Sequence, residues 1–151
     1  KMGYGALLFC TALTPDSMSD AMARPEHRAA YLGLGQEVMA LAAAQGITPL
    51  GFNGFDPVAF GSGDAAGMET AIQAMVAHNR KTAKTHSGIW RDLAVRKRKT
   101  EVDAQIGIMV SLGAELGVPT PRLARMVDLI HDIEEGRRAQ SAALVDLLVT
   151  A

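Results

Sequence analysis

Hydrophobic residues recur at intervals of three and four along most of the chain, which is the spacing of helices with one buried face. The pattern is clearest over 65–84, over 102–116 and over 123–133. No segment alternates apolar and polar residues with the period of two that a half-buried strand requires. The sequence therefore predicts an all-α protein.

Proline, glycine and capping residues divide this pattern into a bundle of seven or so helices. The region from Ile47 to Asp64 is instead rich in glycine and proline and carries Phe52, Phe55 and Phe60, so it is predicted to be a loop pinned by aromatic side chains. Helices are predicted over 2–13, from Pro15 to Met22, from Pro25 to Gly46, over 65–84, 86–98 (continuing or restarting the preceding one), 102–116, from Thr120-Pro121 to Gly136, and 139–149.

Length and composition indicate one globular domain over residues 1–151. A chain of 151 residues buries about 68–70% of the surface that its unfolded form exposes, which is enough for a core of its own. The hydrophobic fraction of 48% and the charged fraction of 21% are ordinary for a globular protein. The chain begins at Lys1, inside a helical pattern and without an initiator methionine, so we expect it to be part of a longer protein.

Charge and cysteine content narrow the possible partners and location. The net charge of −1 provides no general attraction for nucleic acid or for an anionic membrane. The apolar run from Ala6 to Cys10 is too short to span a membrane or to serve as a secretion signal. The single cysteine, Cys10, cannot form an internal disulfide, which suits a reducing compartment. We expect a cytoplasmic protein that binds neither nucleic acid nor membrane.

The polar chemistry is concentrated between His86 and Asp103. This segment holds the only tryptophan, the four consecutive cations Arg96–Lys99, and the tetrad Thr-Glu-Val-Asp at 100–103. A structural interpretation suffices for the tetrad, because a capping Thr100 followed by carboxylates in the first helical turn stabilises a helix by roughly 0.3–1 kcal/mol. A functional interpretation, in which the segment forms part of a site, remains equally open.

Other motifs carry less weight. Residues 61–66 match GxGxxA, but no buried strand precedes them, so a dinucleotide site is disfavoured. The four histidines lack the spacing of a zinc site, and we expect no metal. Ser87 beside His86 is not a catalytic dyad, because adjacent helical residues point in different directions. The basic run is predicted to be a solvated surface or a contact for an anionic cofactor.

Several features occur in an order that resembles a known family. A lysine starts the first helix, Ser87 follows a middle helix, and Thr100-Glu101-Val102-Asp103 opens an apolar helix that ends before Gly117-Val118-Pro119-Thr120-Pro121. A closing helix then ends at Glu134. This order resembles the C-terminal domain of the ketopantoate reductase (2-dehydropantoate 2-reductase) family over nearly the whole chain, most specifically from Ser87 to Pro121.

The resemblance implies a helical domain, similar to the C-terminal domain of 6-phosphogluconate dehydrogenase, that closes over a substrate. NADPH would be bound mainly by an N-terminal Rossmann domain that is absent from this chain. In that family, hydride passes from NADPH to the ketone of a 2-keto acid, a step of pantothenate biosynthesis. The family roles carry over to Lys1 as the proton donor, Glu101 as the carboxylate supporting it, and Ser87 as a substrate contact. The partners implied are a small 2-keto acid and a second copy in a homodimer.

These residue types suit the reaction. A ketone that accepts hydride becomes an alkoxide, which a positioned ammonium both stabilises and protonates. A neighbouring carboxylate favours the charged form of a lysine. A serine hydroxyl can donate to the carboxylate or the carbonyl of a substrate.

The chain also departs from the family pattern. The first helix of the family usually carries asparagines four and eight residues after the lysine, where this chain has Gly5 and Phe9. Lys84 replaces the usual asparagine three residues before the serine, and the interval from Ser87 to Glu101 is longer than usual. The exact 2-keto acid therefore stays open.

Two hypotheses follow from the sequence. In the first, the chain is the C-terminal domain of an NADPH-dependent reductase that converts a ketopantoate-like 2-keto acid to the 2-hydroxy acid and is inactive alone. In the second, it is a non-catalytic dimerisation or interaction module, in which the glycine-rich first helix and the apolar C-terminal segment pair with another chain.

Overall fold

Nine α-helices and no β-strand form the fold in a computed structural model that describes residues 1–151. The all-α prediction is confirmed, with more helices than the seven or so expected. Short 3₁₀ and π-helical turns connect some of them, Pro25–His27 before α3, Asp92–Arg96 after α6 and Asp103–Gly107 before α7. The helices are α1 (Met2–Thr11), α2 (Met18–Ala23), α3 (Arg28–Ala44), α4 (Pro57–Ser62), α5 (Ala65–Arg80), α6 (Gly88–Arg91), α7 (Ile108–Leu116), α8 (Pro121–Glu134) and α9 (Ala142–Val149).

Helix α4 lies in the region predicted to be a loop, so that prediction is wrong for 57–62. Asp56 caps the helix, with its Oδ1 accepting hydrogen bonds from the backbone N–H of Val58 at 2.9 Å and of Ala59 at 3.3 Å. Pro57 occupies the first helical position, where its missing N–H costs nothing. In this region the rings of Phe55 and Phe60 stack with their centroids 4.6 Å apart, so aromatic side chains do pin the segment.

Helices α1 and α3 pack against each other at the centre of the fold, within a single cluster of 34 buried hydrophobic residues. Helix α1 is buried along most of its length, as its apolar composition predicts. Cys10 is fully buried there, and burial raises the pKa of its thiol to about 12, so the thiol stays protonated at neutral pH.

The N-terminus of α8 is stabilised by a side chain from α3. The sequence predicts that Thr120 caps this helix, but the Thr120 side chain makes no capping hydrogen bond. The buried carboxylate of Glu37 instead accepts the backbone N–H of Arg122 at 3.0 Å and of Leu123 at 2.9 Å. Burial raises the pKa of Glu37 above its ordinary value, an effect that these backbone hydrogen bonds partly offset.

The C-terminal segment packs into the same core. Leu144 and Leu148 of α9 are buried within the chain and cannot contact another protein there, whereas Leu147 is partly exposed. None of the nine helices combines the length and the apolar character that crossing a membrane demands.

Candidate active-site cleft

A cleft of about 560 Å³ lies between α1, the start of α6 and the segment that leads into α7. It brings together two of the three predicted site residues, Ser87 and Glu101. Its lining consists of Gly5, Leu8, Phe9, Ser87, Gly88, Ile89, Asp92, Arg98, Lys99, Thr100, Glu101 and Gln105.

Ser87 is the N-cap of α6 and is held in place by this role. Its Oγ accepts a hydrogen bond from the backbone N–H of Trp90 at 3.1 Å, and only 2% of the residue is exposed. The hydroxyl donates to no protein group, so its proton is available for a ligand in the cleft.

The start of α6 is fixed against the loop between α1 and α2. The indole Nε1 of Trp90 donates to the Thr14 carbonyl at 3.1 Å, and the Nε2 of His86 lies 3.1 Å from the Pro15 carbonyl. The two rings are in contact, with centroids 4.0 Å apart. His86 and Trp90 therefore orient the helix that presents Ser87, and neither lines the cleft.

Glu101 lies on the opposite side of the cleft, in a segment anchored to α8. Both the backbone N–H and the hydroxyl of Thr100 donate to Oε1 of Glu134, each at 2.7 Å. Thr100 Oγ1 also accepts the N–H of Val102 at 3.2 Å, although Thr100 is not the N-cap of the helical turn that follows. The exposed Glu101 forms no ion pair, and its Oε2 accepts from the amide of Gln105 at 2.8 Å.

The basic run is partly neutralised. Arg96 and Arg98 both contact Oδ1 of Asp92 at 2.8 Å, and their hydrogen bonds lower the pKa of this carboxyl. Lys97 adopts the left-handed conformation with φ 52°, which turns the chain toward the cleft segment. Lys99 lines the cleft and forms no ion pair. Lys99 is thus the cation of the run that lines the cleft without an ion-pair partner.

Both π-helical turns contribute to this cleft. Asp92 comes from the turn after α6, and Gln105 comes from the turn before α7. Such turns are rare and frequently occur at functional sites. The helix predicted over 86–98, which continues or restarts the preceding one, restarts at Gly88 and stays helical to Arg96, changing from α-helical to π-helical geometry at Asp92.

Lys1 is exposed at the N-terminus of α1 and does not line the cleft. Its Nζ lies 5.8 Å from the centroid of the Phe52 ring, beside an apolar cavity of about 420 Å³ between α1, α3 and α7. Gly5, one helical turn later on the same face of α1, does line the cleft.

The three positions that depart from the family pattern differ in their distance from the cleft. Gly5 and Phe9 lie in the cleft wall, whereas Lys84 does not reach the cleft. Sequence reasoning did not single out Lys99 or Gln105 as lining residues. The one available signal for Gln105 was its position four residues after Glu101, where helical side chains meet.

The remaining candidates have structural roles. Within the GxGxxA match, Gly63 ends α4 in the left-handed conformation with φ 72°, and Asp64 caps α5. The motif therefore spans the end of α4, a two-residue turn and the start of α5. His131 lies 3.0 Å from Asp103, and no cluster of three or more potential metal ligands is present.

The structure therefore defines the protein as an all-helical domain. Its cleft lies beside the first helix and is lined by both polar and apolar residues. The sequence model of the family described as "Ketopantoate reductase PanE/ApbA C terminal" matches residues 2–134. The chain therefore belongs to this family, as the resemblance predicted, and the matched range includes every residue that lines the cleft. Neither the search of curated proteins nor that of solved structures found a significant match.

Proposed function

We propose that this chain is the substrate-binding domain of a cytoplasmic, NADPH-dependent reductase that converts a 2-keto acid to the corresponding 2-hydroxy acid. The observation that carries the proposal is the convergence of Ser87 and Glu101 on one cleft, within the residues that match the ketopantoate reductase family.

The GxGxxA match at 61–66 lacks the strand–turn–helix setting of a dinucleotide site, since Gly61 lies in the last turn of α4 and Gly63 ends that helix. The proposal therefore assigns NADPH to a Rossmann domain outside these residues, as the family resemblance implies. Reduced nicotinamide supplies the hydride when it is bound. The contribution of this chain is to bind the keto acid, orient it and deliver a proton.

Ser87 orients the substrate in this scheme. Its buried oxygen is fixed by the Trp90 N–H, and its free proton is donated to the substrate carboxylate or carbonyl. A fixed donor in a sheltered position costs little reorganisation when charge develops on the carbonyl oxygen.

Lys1 delivers the proton. As hydride adds to the carbonyl carbon, the C=O electron pair moves to oxygen, and the Lys1 ammonium transfers a proton there. Lys1 forms no ion pair or side-chain hydrogen bond, and its side chain is exposed, so no polar contact holds it beside the Phe52 ring. The proposal requires Nζ to leave that ring and enter the cleft. Glu101 on the cleft wall attracts the lysine ammonium when the two approach.

The test is NADPH oxidation by the full-length protein across a panel of 2-keto acids. We expect Lys1→Ala and Glu101→Ala to lower kcat, with a loss of about 10²–10⁴-fold for the proton donor. Lys81→Ala and Glu115→Ala remove matched exposed charges outside the cleft and keep full activity. Unchanged activity in both Lys1→Ala and Glu101→Ala would overturn these roles.

Ser87 needs a separate control because it also caps α6. Ser87→Ala removes both the cap and the donor, whereas Ser87→Asp keeps a capping oxygen and removes the donated proton. Ser17→Ala removes a comparable cap from α2, where the Ser17 Oγ accepts the Asp20 N–H at 3.1 Å. We expect both Ser87 variants to raise KM, and Ser17→Ala to affect stability alone.

A further inference from the structure

The two walls of the cleft differ in chemistry. Helix α1 supplies Gly5, Leu8 and Phe9, and the start of α6 adds Gly88 and Ile89, so these five residues present no polar side chain. The polar and charged lining consists of Lys99, Thr100, Glu101 and Gln105, together with the ion pair of Arg98 and Asp92. A ligand that spans the cleft therefore meets a charged group at one end and hydrocarbon at the other.

The apolar wall contains open space beside two glycines. A Cβ built on Gly5 or on Gly88 would meet no heavy atom within 4 Å. Gly3, in the preceding turn of α1, is different, because a Cβ there would collide with the Phe55 ring. Packing thus requires a glycine at position 3 but leaves position 5 free to carry a larger residue.

Gly5 is costly for the helix that contains it, because glycine in a helix interior is less favourable than alanine. No neighbouring atom requires a glycine there, and the open space beside Gly5 belongs to the cleft that Leu8 also lines.

The polar wall can hold a carboxylate. Arg98 is already paired with Asp92 at 2.8 Å, but Lys99 forms no ion pair and lines the cleft. Ser87 offers a free hydroxyl proton at the junction of the two walls. Glu101 bonds to Gln105, so its charge does not neutralise Lys99 through direct contact.

We propose that the cleft binds 2-keto acids with a large, unhydroxylated hydrocarbon or aromatic side chain, with the carboxylate on Lys99 and Ser87 and the side chain against Gly5, Leu8 and Ile89. This inference rests on the proposed function and specifies its substrate class. A hydroxyl on the substrate side chain finds no hydrogen-bond partner on the apolar wall, so burying it there is unfavourable.

The experiment compares kcat/KM of the full-length protein for 2-oxobutanoate, 4-methyl-2-oxopentanoate and phenylpyruvate. A second comparison sets ketopantoate against 3,3-dimethyl-2-oxobutanoate, which lacks its hydroxyl group. We expect kcat/KM to rise at least about 10-fold from the smallest to the larger acids, since each methylene in an apolar pocket contributes on this scale. The unhydroxylated acid should also be preferred over ketopantoate.

Variants separate the two ends of the cleft. Gly5→Leu fills the open space, so it lowers kcat/KM for the large acids more than for 2-oxobutanoate, while Ala114→Leu adds similar bulk to an exposed position of α7 and changes neither. Lys99→Ala raises KM for every acid alike. Melting temperatures verify that each variant folds.

The possible failures are distinguishable. A preference for ketopantoate over its unhydroxylated analogue, or a rate that falls as the side chain grows, overturns the inference and leaves the proposed function intact. An equal loss in Gly5→Leu for small and large acids also overturns it. If the full-length protein reduces no 2-keto acid, the proposed function fails, and this inference fails with it.

Discussion

At the scale of single residues, Glu37 connects two helices that are far apart in sequence. Its carboxylate accepts two backbone N–H groups at the N-terminus of α8, and Arg122 Nη1 lies 3.7 Å from the same carboxylate. The first N–H groups of a helix have no partner within it, and buried ones need an acceptor. Glu37 is therefore a capping residue supplied by tertiary structure.

We expect Glu37→Ala to destabilise the fold by about 1–3 kcal/mol, because it leaves buried donors without an acceptor. For a protein of this size each 1 kcal/mol lowers the melting temperature by roughly 2–4 °C. Thermal unfolding followed by circular dichroism measures the shift. Glu37→Gln keeps an acceptor oxygen and should lose less, and the exposed Glu115→Ala should lose almost nothing. Equal stability of Glu37→Ala and the parent protein would contradict this role.

At the scale of elements, α1 contains two glycines with opposite requirements. We expect Gly3→Ala to destabilise the protein by about 1–3 kcal/mol, the usual cost of overpacking, because the new methyl group collides with the Phe55 ring. Gly5→Ala should stabilise it by about 0.5–1 kcal/mol, because the methyl group meets nothing and helix propensity improves. The denaturant concentration at the midpoint of unfolding should fall for Gly3→Ala and rise for Gly5→Ala. A shift in the same direction for both variants would refute this interpretation of α1.

Local signals were sufficient to predict most elements from the sequence. The end of α7 at the left-handed Gly117 follows from rules that involve neighbouring residues alone. The capping of α6 by Ser87 was not predicted. Helix α4 was missed although Asp56-Pro57 is a start signal, because the surrounding glycines and prolines outweighed it. The role of Glu37 was not predictable, since it joins positions 85 residues apart.

The candidate site was predictable only in part for the same reason. Ser87 and Glu101 were found through the order of family motifs, which depends on sequence alone. Which residues line the cleft depends on how α1 packs beside α6, and the sequence does not show this packing. The position of Lys99 in the cleft and the open space at Gly5 were therefore found only in the structure. Lys1 was assigned by its place before the first helix, and its position beside Phe52 leaves that role a proposal.

At the scale of the whole molecule, one surface is unusually apolar. Ile47, Leu50 and Ile108 are 53%, 83% and 60% exposed, and all three border the apolar cavity beside α1. Contiguous apolar patches on a folded surface commonly mark interaction sites. This surface supports the proposal that the protein forms a homodimer, with the second copy covering the cavity.

We expect Leu50→Glu and Ile108→Glu to shift the protein from dimer to monomer, because a charge buried in an apolar interface without a partner is strongly unfavourable. Sedimentation velocity at several protein concentrations measures the change. Val95→Glu is the matched control, since Val95 is 66% exposed on the turn after α6 and does not border the cavity. Because all three side chains are largely exposed in the single chain, the melting temperature of the monomer should not fall in any variant. A monomeric parent protein, or equal dissociation by Val95→Glu, would refute the interface.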